Sequence, residues 1–111
     1  MRAQFVRGAD PKDTMNIGNK HARETQKLIA AFKEIDPNLD PKKTDEQKTE
    51  TAEAIVVSVF IGKLTYSLIW IKSGVEYYMA YRGNFQEEEI KEDTFPKLEQ
   101  AKDKMRKYLS M

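Results

Sequence analysis

The chain has 111 residues, of which 40% are hydrophobic and 33% charged, enough apolar content to fold as one domain of ordinary size. Its 19 Lys and Arg against 18 Asp and Glu leave a net charge of +1, which argues against a strongly electrostatic, phosphate-driven nucleic-acid binder. The absence of cysteine excludes disulfides, thiolate nucleophiles and thiolate metal sites.

Residues 2–7, RAQFVR, read as a short strand. Gly8 then allows a sharp turn, and Asp10 caps a helix that carries Pro11 at its first position, where a missing N–H does no harm. Gly18 terminates or kinks this first piece. Beyond Asn19, the residues Leu28, Ile29, Phe32 and Ile35 form one apolar stripe of a second helical stretch, which Asp36-Pro37 stops.

Residues 36–53, DPNLDPKKTDEQKTETAE, hold one large apolar residue among many charges and predict a long solvated loop. AIVVSVFI, LTYSLIWIK and VEYYMAYR follow, each rich in β-branched and aromatic residues. Gly62-Lys63 and Ser73-Gly74 fit two-residue hairpin turns between them. Gly83-Asn84 leads into a polar edge strand, FQEEEI. Thr94 is placed to cap a last helix whose apolar face holds Phe95, Leu98, Ala101, Met105, Tyr108 and Leu109.

The predicted fold is a two-layer α+β domain spanning residues 1–111. An antiparallel meander of four to five strands (near 54–61, 64–72, 75–82 and 85–90) packs on two amphipathic helical segments near 11–35 and 95–109. Two-residue turns would align Val59, Tyr66 and Tyr81 on the core face, with Val57, Leu68 and Met79, and Ile55, Trp70 and Tyr77 beside them. The opposite face would be mixed, carrying Phe60, Thr65, Arg82 and Phe85 in one row. A second row would be Ser58, Ser67, Ala80 and Glu87, and a third Val56, Ile69, Tyr78 and Glu89. Such a face suits a protein partner, a second copy, a planar ligand, or cover by the chain itself.

Candidate chemistry is sparse. The first-turn N–H groups after Gly8 could hold a phosphate, helped by Arg7 and Lys12, although Asp10 and Asp13 oppose it. Neither a Walker A loop nor GxGxxG occurs. His21, the sole histidine, is expected to face solvent, and no carboxylate partner is readable from its spacing. Glu87, Glu88 and Glu89 alternate across a strand and cannot converge on a cation, and Ser58 and Ser67 lack a base or a GxSxG elbow. No metal or cofactor is expected, and no enzyme signature emerges. The last helix is basic outside through Lys97, Lys102, Lys104, Arg106 and Lys107, a pattern that i,i+4 pairs explain. RNA binding ranks third: the helix, meander, helix order is that of double-stranded RNA-binding domains, but their Gly-rich loop and Ser-Lys-Lys cluster are absent. Arg82-Gly83-Asn84-Phe85 likewise falls short of an RNP1 motif.

The opening FVRGADPKDTMNIG, residues 5–18, is similar to the start of many small bacteriophage proteins: aromatic-x-Arg-Gly, then Asp-Pro-Lys, then Ile-Gly. In general plan the chain also resembles the phage proteins that counter Thoeris immunity by sequestering its cyclic nucleotide signal. That resemblance implies a small α+β homo-oligomer with nucleotide pockets near subunit interfaces, and it carries over no site residue.

Two functions are therefore expected in order. The first is a non-catalytic protein that captures a phosphate-bearing small molecule, with Arg7, Lys12 and Arg82 supplying charge, Tyr78 or Phe85 stacking and Asn84 hydrogen-bonding. The second is a protein-interaction or inhibitor module acting through the mixed sheet face. Neither a membrane span nor a signal peptide is legible: the longest apolar run is AIVVSVFIG. The expected location is the cytoplasm, that of the host if the protein is phage-encoded.

Overall fold

A computed structural model describes residues 21–84 and 91–111. The expected strand at 2–7, the Asp10-Pro11 helix start, Gly18 and the FQEEEI strand all lie outside the described residues. Helix α1 (Ala22–Ile35) turns Leu28, Ala31 and Phe32 inward, as the 3.6-residue stripe requires. It ends at the expected place. The Asp36 N–H closes on the Phe32 carbonyl at 3.0 Å, and the Asp36 carboxylate accepts the Asn38 N–H at 3.0 Å.

The expected long loop is corrected next. Lys42–Lys48 forms strand β1, antiparallel to β2 (Glu53–Ile61), with a bulge between Lys43 and Asp45. All seven β1 residues are exposed, so no hydrophobic alternation announced the strand. The pairing holds it instead, and its charges suit a sheet edge that must not recruit another strand. A turn at Thr49–Ala52 joins the two strands: Thr49 Oγ1 accepts the N–H groups of Thr51 at 3.2 Å and Ala52 at 2.9 Å.

From β2 the chain crosses Gly62, at φ +62°, and Lys63 into β3 (Leu64–Ser73). This hairpin has the expected register, with Ile55 opposite Trp70, Val57 opposite Leu68 and Val59 opposite Tyr66. The next hairpin does not. Ser73 pairs directly with Val75, leaving Gly74 alone in the turn at φ +79°. A turn one residue shorter than expected shifts the register by one, and every side chain of β4 (Val75–Asn84) changes face. Leu68 therefore opposes Ala80 rather than Met79, and Tyr66 opposes Arg82 rather than Tyr81.

Strand β5 (Lys91–Phe95) pairs with β4 and completes the order β1-β2-β3-β4-β5 among the described residues. Contrary to the expectation from sequence, Thr94 thus lies in a strand, and Lys97 takes the N-cap position of the last helix. Helix α2 (Leu98–Leu109) starts after Pro96-Lys97, where the Gln100 side chain accepts the Lys97 N–H at 3.2 Å. Both helices cover one face of the sheet. Their residues Leu28, Phe32, Ala101, Met105 and Tyr108 join Ile55, Val57, Leu68, Trp70 and Ala80 in one buried cluster. Ala80 and Ala101 are fully buried, and small side chains at both positions let α2 sit close to the sheet. No helix among the described residues is long and apolar enough to cross a membrane.

Candidate functional site

His21, expected in solvent, is 4% exposed and sits at the start of α1 over the Trp70 end of the sheet. Its Nδ1 bonds Glu46 Oε2 on β1 at 2.7 Å, and its Nε2 bonds Glu53 Oε1 on β2. The imidazole thus bridges carboxyl groups from two adjacent strands, with each ring nitrogen engaged. Glu46 takes a second bond through Oε1 from Lys43 Nζ at 2.5 Å. The Lys43 bond first, then the His21 bond, lowers the Glu46 pKa below its ordinary value. The indole of Trp70 lies 5.6 Å from the imidazole, ring centre to ring centre, and donates to Glu76 at 3.0 Å. Helix α1 and the first four strands are thereby tied at one corner.

The chemistry of this corner is restricted by its own bonds. With both nitrogens engaged and the ring buried, His21 offers no lone pair to a substrate or a metal. Among the described residues, no group of three His, Cys, Asp or Glu could hold a metal ion. The arrangement is a clasp.

The expected ligand set is dispersed by the register shift. Tyr78 and Arg82 belong to the helix-covered face, not to the open one. Tyr78 packs half-buried against the core, where burial first and then the charges of Glu76 and Glu24 raise its pKa. The Arg82 guanidinium stands 5.9 Å from the centre of the Tyr66 ring, and its Nε is buried with no hydrogen-bond partner among the described residues. Asn84 closes β4 opposite Leu64. Arg7, Lys12 and Phe85 lie outside the described residues.

On the opposite face no helix packs among the described residues, and the shift has furnished it with Tyr77, Met79 and Tyr81, residues expected in the core. Val56, Ile69 and Met79 make one transverse row, all half-buried. The adjacent row is polar. Thr44 Oγ1 reaches Ser58 Oγ at 3.0 Å, and Ser58 Oγ reaches Ser67 Oγ at 2.7 Å. Ser67 in turn opposes Tyr81. The Tyr81 ring lies along its strand onto Gly83, where a Cβ would collide with the phenol. Phe60, 54% exposed, closes the β2 end. The Tyr77, Met79 and Tyr81 alternation was legible in sequence; only the turn length that aims it was not.

The chain matches no family model, no curated protein and no solved structure.

Proposed function

We propose that this is a non-catalytic interaction protein whose working surface is the helix-free face of its sheet. The observation that carries the reading is the apolar row Val56, Ile69 and Met79, flanked by Tyr77, Tyr81 and Phe60 and with no helix of the described residues above it. Soluble folds seldom leave a contiguous apolar patch of this kind without a use for it. The hydroxyls of Ser58 and Ser67 already bond each other, so the face offers shape and apolar contact more than charge. An inhibitor that occludes another protein would use such a face, in the phage counter-defence setting that the resemblance in general plan implies.

Capture of a phosphate-bearing small molecule is the second reading. It is favoured by one observation, the buried Arg82 Nε without a hydrogen-bond partner among the described residues. Native mass spectrometry of the purified protein, alone and with linear and cyclic nucleotides, separates the two. The interaction reading expects no retained nucleotide at micromolar ligand. A stoichiometric nucleotide that is lost in Arg82→Ala would overturn it in favour of sequestration.

A further inference from the structure

We infer that the occupant of the helix-free face is a second copy of this chain, stacked face to face about a two-fold axis that runs along the central strand β3. The inference rests on the interaction reading above and names its partner. Its source is the charge pattern of one transverse row. The register places Lys42, Ser58, Ser67, Tyr81 and Glu92 side by side across all five strands. The row is therefore cationic at the β1 edge, anionic at the β5 edge and neutral between.

A two-fold axis parallel to β3 lays this row antiparallel on itself, because it carries the β1 edge of one copy over the β5 edge of the other. Lys42 of each copy then meets Glu92 of its partner, twice per dimer. The next row behaves alike, setting Asp45 against Thr94, with Val56, Ile69 and Met79 stacked between them. An axis lying in the interface along the row would set Lys42 on Lys42 and Glu92 on Glu92, which like charges oppose. Edge-to-edge pairing through β1 is disfavoured by its run of exposed charges.

The size fits as well. Five strands about 4.8 Å apart, with central strands about 30 Å long, give a footprint of roughly 700 Å² per copy, near what a stable dimer buries. Two aligned sheets stacked at about 10 Å make an ordinary sandwich interior.

Sedimentation velocity between 1 and 100 μM tests this, with peroxide oxidation of Met79 followed in the same samples. Met111, 64% exposed, and Met105, fully buried, serve as internal references. The expected result is a dimer in which Met79 becomes protected as concentration rises. Ile69→Glu should give a folded monomer, with dissociation at least 100-fold easier. Lys42→Glu and Glu92→Lys should each weaken the dimer about tenfold, and the double reversal should restore it. A dimer that survives Ile69→Glu overturns both the inference and the interaction reading. A dimer lost in Ile69→Glu but indifferent to the charge reversals overturns the proposed axis. A monomer whose Met79 oxidises like Met111 overturns the second copy and leaves the interaction reading standing. A monomer whose Met79 is as protected as Met105 overturns both, because the chain then covers its own face.

Discussion

The two faces of this sheet are built from the same three strands and nearly the same amino acids, yet only one became a core. On the helix-covered face, Val57, Leu68 and Ala80 form a row that narrows to an alanine, and α2 closes over it with Ala101. On the other, Val56, Ile69 and Met79 are just as apolar but end at a methionine and are flanked by Tyr77 and Tyr81. Apolar character therefore does not decide which face receives the helices. Close approach does: a small residue under α2 gains dispersion contacts that a tall one would forfeit.

This contrast can be tested by unequal responses on the two sides. Phe32→Ala, which empties a fully buried site beneath the helices, should cost about 3–5 kcal/mol in urea unfolding. Ile69→Ala, the open-face counterpart, should cost no more than about 1 kcal/mol at concentrations where the protein is monomeric. Equal losses would mean that both faces are core. His21→Gln leaves one nitrogen in place of two placed on opposite sides of a ring, and a loss of about 1–3 kcal/mol is expected. Amide exchange should then rise first in β1, which the clasp holds at Glu46; unchanged exchange there would show that strand pairing alone suffices.

On the open face, Gly83→Ala drives a methyl into the Tyr81 ring, for an expected loss of about 1–2 kcal/mol. Combining it with Tyr81→Ala should cost less than the sum of the two, since the collision disappears. Additive losses would remove the contact from consideration.

The smallest effects are those of pH, and their signs are opposite. Burial first, and then the bond to Asp93 at 3.0 Å, push the Tyr108 pKa up from 10.0 to about 12. The neutral phenol is thus favoured in the fold, and this contribution is complete below pH 10 and lost as pH rises through 12. Tyr108→Phe should flatten that alkaline decline. Glu46 is held below the ordinary carboxylate value by Lys43 and then His21, so its contribution is present above that value and lost as pH falls. Glu46→Gln should blunt the acid limb slightly, since the carboxylate is near the surface.

How much of this could be read from the residues differs by element. The Leu28, Phe32 and Ile35 stripe and its Asp36-Pro37 stop were legible because helical periodicity and caps are local. The β2–β3 register followed from Gly62-Lys63 for the same reason. Strand β1 was illegible, since KKTDEQK carries no alternation and is held by its neighbour and by the His21 clasp. That clasp joins residues 25 and 32 positions apart, a separation no spacing rule reaches. The β4 faces were misjudged through one residue of turn length at Ser73-Gly74, and Tyr78 and Arg82 left the candidate ligand surface with them.

The register of β4 is the point on which the open face depends, and methyl NOEs from ¹³C-labelled methionine measure it directly. The Met79 methyl should show contacts to Ile69 and Val56 and none to Phe32, Leu28 or Met105. A cross-peak between the Met79 and Met105 methyls, or from Met79 to the Phe32 ring, would return Met79 to the core and contradict the division of the two faces.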